Sequence, residues 1–496
     1  MDILSHILGG FQVALQPANF FYCLVGVLLG TLIGVLPGIG PGATIALIMP
    51  ITFYISPTSA IIMLAGIYYG AMYGGSTTSI LVNIPGEAAS AITCLDGYQM
   101  ARKGRAGPAL GIAAFGSLIA GTLSTIALMI LAHPLAGLAL KFGPPEYFSL
   151  LSMGLALLAY LSQGSRAKGF MMAFLGLILS YIGLDTITGS PRFTLGYTQL
   201  LDGIDFVPLI IGLFGISEVL VNLEGELGGR EVFKTSIKRL LPTLQDWRDS
   251  ILPILRGSIV GFFLGILPGG GATISSIVSY GIEKKISKTP KDFGTGVIQG
   301  VAAPESSNNA AVGGCFIPLF SLGIPSNAVI ALILGGLMIH GIRPGPLLLE
   351  KSPEIFWGFV ASMYIGNVLL LLLNLPLIGI WVRLLRISYR MLFPFILLFC
   401  VIGSFSLDRS LFDVGVMVFF GVIGYCMKKL NYEAAPLIMA FVLGPMFEEA
   451  FRQSLIISRG NFFIFFNRPI SRLFLLLTLL ILVSGIFPYL KKLLRI

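Results

Sequence analysis

The 496-residue sequence predicts an all-α polytopic membrane protein: two inverted-topology repeats with broken helices or re-entrant hairpins, crossing the bilayer in about 10–14 segments. Three observations predict it. Apolar residues make up 55% of the chain and charged residues only 11%, too little charge to cover a soluble surface. Glycine occurs 61 times and proline 28 times, although such a chain should be mostly helix. In lipid, helices break only where protein or a water-filled cavity satisfies the freed backbone groups. Finally, five short motifs recur in the same order along the chain.

Taken in order, residues 1–16 lack a basic segment and a small-residue cleavage site. They read as a retained amphipathic helix and not as a signal peptide. Residues 17–222 form the first repeat and 251–450 the second. Gly30–Thr44, with Leu36-Pro37-Gly38, recurs as Gly261–Thr273, with Leu267-Pro268-Gly269. Ile84-Pro85-Gly86-Glu87-Ala88 recurs as Ile324-Pro325-Ser326-Asn327-Ala328. Arg105 and Pro108 answer Arg343 and Pro346, Pro134 answers Pro376, and Pro208 answers Pro436. The offsets are 231, 240, 238, 242 and 228 residues.

Loop charge orients the repeats. Residues 53–59 carry no charge, while their counterpart holds Lys284, Lys285, Lys288 and Lys291. The basic Arg102, Lys103 and Arg105 face a mixed segment with Arg343, Glu350, Lys351 and Glu354. Because cytoplasmic loops carry the excess of Lys and Arg, equivalent loops are expected on opposite sides of the membrane. Between the repeats, 223–250 is the densest charge run and reads as a cytoplasmic linker. Residues 451–496 supply an extra helix, and Lys491 and Lys492 near its end place the C-terminus in the cytoplasm.

Soluble chemistry is mostly missing. The sequence has no P-loop, HExxH or GxSxG motif and only three histidines, His6, His133 and His340. Any transport is therefore driven by a gradient or by another subunit. The net charge of +9 is explained by the loops and not by nucleic acid. Five cysteines in or beside apolar segments, without CxxC spacing, read as packed free thiols and not as disulfides or metal ligands.

Proline removes an amide donor and glycine tolerates unusual dihedrals, so each LPG turn must break its helix. Such a break exposes amides at a half-helix N-terminus, an anion site without a buried cation. It can also be a surface hairpin turn, or close packing through Gly30/Gly34 and Gly261/Gly265. The second pair is polar: Ser76-Thr77-Thr78 with Asn83, and Glu305-Ser306-Ser307-Asn308-Asn309 with Ser326-Asn327. Hydroxyls and amides suit Na⁺ or a carboxylate, and Ser and Thr can equally bond back to their own helices. Glu87 and Glu305 are carboxylates flanked by apolar stretches, where a cation, a proton or a capping role is expected.

With these motifs in hand, GxLPGxGPGAT, YGGSTTSIL-NIPGE and PESSNNA, the chain resembles the large membrane subunit of tripartite tricarboxylate transporters. The resemblance implies a permease of the bacterial inner membrane, not an enzyme, that imports di- or tricarboxylates such as citrate on an ion gradient. Its implied partners are a small membrane subunit and a periplasmic solute-binding protein; a homodimer in the lipid bilayer is also expected. Substrate contacts are expected from Pro37, Gly38, Gly40, Ser76, Thr77, Thr78, Asn83, Pro268, Gly269, Gly270, Ser306, Ser307, Asn308, Ser326 and Asn327. The coupling ion, Na⁺ or H⁺, is expected at Glu87, Glu305, Asn309, Thr44 and Thr273, with no other cofactor or metal. A passive anion channel, or a carrier of another small organic anion, is the alternative.

Overall fold

The computed structural model describes residues 3–36, 40–162, 165–185, 187–225, 240–385 and 389–493. Helix α1 (Ile3–Ala14) precedes α2 (Pro17–Val35), α3 (Pro41–Thr52), α4 (Pro57–Val82), α5 (Thr93–Arg102) and α6 (Ala106–Ala139). Next come α7 (Pro144–Leu161), α8 (Arg166–Ser180) and a two-residue antiparallel pair, β1 (Gly183–Leu184) with β2 (Pro191–Arg192). Helix α9 (Phe206–Ile210) then passes through a π-helical turn, Ile211–Ile216, into α10 (Ser217–Gly225).

The second half of the chain begins with α11 (Leu244–Ile266), followed by α12 (Gly271–Ile286), α13 (Gln299–Leu322), α14 (Ala328–Ile339) and α15 (Pro346–Lys351). It continues through α16 (Pro353–Asn374), α17 (Ile378–Leu384), α18 (Tyr389–Asp408), α19 (Leu411–Lys429) and α20 (Ala434–Ile457). Helices α21 (Ile464–Asn467) and α22 (Pro469–Leu493) end the chain.

The fold is that of an all-α polytopic membrane protein. Among the described residues, seven helices are long and apolar enough to cross a membrane, including α2, α6, α11, α16, α19 and α20. Shorter apolar helices, α1, α3 and α14 among them, supply partial segments. Helices α4 and α13 have the length, at 26 and 24 residues, but carry polar runs, Ser76–Ser79 near the end of α4 and Glu305–Asn309 in the first half of α13.

Sequence explains where these helices start and stop. Pro41 and Pro57 sit in first turns, where proline's missing donor costs nothing and its fixed φ suits the helix. Ser56 caps α4 by accepting from Ser59 N. Thr243 caps α11 through a reciprocal pair with Asp246. Most of the 223–250 linker, residues 226–239, lies outside the described residues. Its flanks are helical, and α11 begins at Leu244, ahead of the expected boundary at 251.

Two glycine seams hold the centre. Helix α2 lies on α4, and α11 lies on α13. A Cβ at Gly26, Gly30 or Gly34 would fall 2.4–2.5 Å from the carbonyls of Met63, Ile67 and Ala71. At Gly257, Gly261 and Gly265 it would fall 2.1–2.5 Å from those of Ala303, Ser307 and Ala311. Backbone therefore touches backbone, as small residues allow where no hydrophobic effect drives helices together in lipid. The small-residue packing expected of Gly30/Gly34 and Gly261/Gly265 is what these positions do. Phe316, Phe320, Phe356 and Phe359 fill the space between α13 and α16.

Candidate functional site

The breaks build a single cavity of about 550 Å³, within the usual size range of ligand sites. Gly40–Ala43 at the start of α3 and Pro85–Ala88 line it from the first half of the chain. Gly269–Ile274 at the start of α12 and Asn327–Val329 at the start of α14 line it from the second. The N-terminal turns of three helices thus face one space, with their unpaired first-turn amides and the positive ends of their dipoles.

Local chemistry fixes each turn. Leu267 leaves α11 in an extended conformation (φ −76, ψ 131). Gly269 and Gly271 then take φ +79 and +51, conformations that only glycine adopts routinely. Gly269 N donates to Ser326 O at 2.8 Å, which ties the two breaks of this half together. In the first half the contact is steric: a Cβ at Gly86 would lie 2.0 Å from Gly34 O.

Of the residues expected to touch substrate, Gly40, Gly269, Gly270 and Asn327 line the cavity. Pro37 and Gly38 lie outside the described residues. Pro268 is half-buried beside it, and Ser326 is buried, donating to Cys315 O at 3.2 Å. Asn83 is exposed at the C-terminal cap of α4, with φ +59. Thr78 donates to Val35 O at 2.7 Å, and Ser306 donates to Ala302 O of its own helix at 2.7 Å. Ser307 Oγ is buried without a hydrogen-bond partner.

The residues expected to hold a coupling ion divide into two sets. Glu87, Thr44 and Thr273 belong to the breaks, and Glu87 and Thr273 line the cavity. Thr44 Oγ1 donates to Gly40 O at 3.2 Å, which steadies the turn. Glu87 Oε2 accepts from Ala89 N at 2.7 Å, while Oε1 is buried with no partner. Glu305 lies deeper, fully buried on α13. It accepts from Ser76 Oγ, Thr93 Oγ1 and, at 3.3 Å, Asn308 Nδ2. Asn309 Nδ2 donates to Ser117 Oγ at 2.8 Å and to Asn308 Oδ1 at 2.6 Å. A void small enough for one water or ion adjoins this lattice. Tyr73, Ser76, Thr77, Ser117 and Asn374 line it, and Tyr73 OH and Asn374 Oδ1 have no partner.

Several residues had no sequence cue. Tyr68 and Met72 of α4 form part of the cavity wall, and Tyr68 OH accepts from Asn327 Nδ2 at 3.1 Å. Lys428 lines the cavity and pairs with Glu218. Glu433, also on the lining, accepts from Ser162 Oγ at 2.7 Å. These pairs come from α10, α19, the C-terminal cap of α7 and the N-terminal cap of α20, far apart in the chain. Thr93 is equally invisible in the sequence, being one threonine among apolar neighbours.

His6, His133 and Trp357 cluster ring against ring at 5.4–6.4 Å. Among the described residues, no group of three His, Cys, Asp or Glu could hold a metal. The five cysteines are free; Cys426 is exposed and not packed as expected.

Broken helices around one cavity, in a chain built of apolar helices, fit an integral membrane protein of the transporter class. The comparisons carry this further. Residues 20–439 match the tripartite tricarboxylate transporter TctA family, and the chain belongs to that family. It is therefore the large membrane component of a tricarboxylate transporter of three parts, and it works with partner subunits. It is 50% identical over 492 residues to an uncharacterized 52.8 kDa protein of the TAR-I ttuC′ 3′ region of Agrobacterium vitis, spanning 99% of this chain and 98% of that one. A protein of the TAR-II ttuC′ 3′ region of the same organism is 48% identical over 232 residues, 47% of this chain and 96% of that one. No solved structure matches the chain.

Proposed function

We propose that the chain is the permease of an ion-gradient-driven importer of di- or tricarboxylates, fed by a periplasmic solute-binding protein at the bacterial inner membrane. One observation carries this reading: the N-terminal turns of α3, α12 and α14 converge on one cavity. Backbone amides and dipoles can hold a multiply charged anion there without a dedicated arginine cluster. Inverted topology of the two halves, with the linker and C-terminus in the cytoplasm, belongs to the same reading. It rests on the alternation of basic and neutral loops.

Coupling to a cation is supported by Glu87 on the cavity wall, with its unpartnered oxygen, and by Glu305 in its lattice of hydroxyls and amides. A carboxylate that stays in the low-dielectric interior needs a cation, a proton or a full set of donors. Glu305 has the donors, and Glu87 lacks one of them. A cation or proton at Glu87 also offsets the negative charge that a carboxylate substrate brings into the cavity.

The test is uptake of labelled citrate into proteoliposomes holding the chain and its small subunit, with the binding protein added. Uptake should require the binding protein and a Na⁺ or proton gradient. Accumulation of no carboxylate under either gradient would sink the proposal, and gradient-independent ohmic currents would turn it into a channel.

A further inference from the structure

A second cavity, of about 390 Å³, lies against the same three helices as the first. Leu158 and Leu161 of α7 line the first cavity, whereas Tyr147 and Leu151, nearer the start of α7, line the second. On α20, Ala435 lines the first, and Val442, Met446, Glu449 and Gln453 line the second. On α14, Ala328 and Val329 line the first, and Leu334 and Met338 the second. The break before α14 touches both: Gly323 lines the second cavity and Asn327 the first. The cavities are thus stacked end to end along one helix interface.

What separates them is thin and dry. Val329 and Leu334 are about 7.5 Å apart along the helix axis at 1.5 Å per residue. Ile330, Ala331, Leu332 and Ile333 between them are fully buried, as are Leu437 and Ile438 of the facing α20. Among the described residues, no hydrogen bond or ion pair runs from α14 to α7 or α20. An apolar contact without directional bonds can shift by small steps at little cost, unlike the backbone-on-backbone glycine seams.

We infer that the second cavity is the opposite-side half of the translocation route, a vestibule for the same carboxylate anions, closed from the first by the 323–327 break and the α14–α20 contact. This rests on the transport reading above. Arg343 stands exposed on the vestibule wall and makes no ion pair among the described residues. Glu449 is the one carboxylate there and accepts from Gln453 Nε2 at 3.0 Å. An unpaired guanidinium at the mouth of a low-dielectric cleft raises the local concentration of anions.

The experiment uses the full chain with its small subunit, in a Cys426→Ser background that removes the exposed native thiol. Leu161→Cys reports on the first cavity and Met446→Cys on the second. A membrane-impermeant thiosulfonate is applied to right-side-out and inverted vesicles. The expected result is that each cysteine is labelled from one side only, and that the two sides are opposite. Labelling of both from the same side overturns the inference. So does labelling of Met446→Cys only by a membrane-soluble maleimide, which would make the groove a lipid site. In parallel, Arg343→Gln should raise the half-saturating citrate concentration about tenfold with the maximal rate kept. High salt should erase that difference, and Arg343→Lys should restore wild-type behaviour. An unchanged half-saturation in Arg343→Gln also overturns the vestibule. If wild-type protein moves no carboxylate, the transport reading fails by itself, and the labelling pattern still judges the barrier.

Discussion

Glu87 and Asn327 occupy the same place in the two recurring IP motifs and nearly the same backbone, φ −146, ψ 166 against φ −152, ψ 173. Each caps the turn that follows, Glu87 by accepting from Ala89 N at 2.7 Å and Asn327 from Ile330 N at 2.9 Å. Each also follows a left-handed residue, Asn83 at φ +59 and Gly323 at φ +72. The side chains then part. Asn327 spends its amide on Tyr68 OH and Cys315 Sγ, both at 3.1 Å, whereas Glu87 keeps one oxygen buried and unpartnered. The turn it caps is also weaker, four residues of 3-10 helix against the twelve-residue α14. One backbone device is used twice, and only one copy carries charge. This asymmetry suits a site that takes a cation and an anion together.

The largest effect expected from disturbing this pair is that of Glu87→Gln, which keeps an acceptor for Ala89 N and removes the charge. Gradient-driven citrate uptake in proteoliposomes should fall on the order of a hundredfold, the upper range of coupling between two sites, with normal amounts of protein in the membrane. Wild-type uptake in this variant would mean that the charge difference between the breaks is incidental. Next comes Gly323→Asn, which copies the first break into the second. A Cβ there would lie 2.5 Å from Pro344 O, so overpacking should cost about 1–3 kcal/mol, read as a lower melting temperature of the purified protein.

Asn327→Asp makes both caps acidic. It should raise the half-saturating citrate concentration about tenfold, or ~1.4 kcal/mol; a lower value would place the anion elsewhere. The smallest effect belongs to Asn83→Gly. Its left-handed conformation suits glycine and its side chain is exposed, so melting temperature and uptake should both stay near wild type.

Much of this fold was legible in the sequence because lipid is a strict solvent. The apolar runs, the Pro and Gly punctuation and the recurring motifs all report on backbone satisfaction, which the bilayer enforces locally. The glycine turns could be placed beside the site for the same reason, and Gly269, Gly270, Thr273, Asn327 and Glu87 do meet there. Three of the expected contacts read differently in three dimensions. Asn83 answers a demand of the backbone, Thr78 bonds a neighbouring helix and Ser306 its own. The outer wall was not legible. Lys428 meets Glu218, and Ser162 meets Glu433, through tertiary packing of segments far apart in the chain, and a single sequence gives no signal for such pairs.

The glycine seams also bear on how the chain is made. Each joins near neighbours in sequence, α2 with α4 and α11 with α13, across a few dozen residues. Contacts that close short loops form early and quickly. Every residue of the first seam lies at or before Val82, so it is available to close before the second half is synthesised. The cavity, by contrast, needs α3 and α14 together, so it cannot form before both halves of the chain are present.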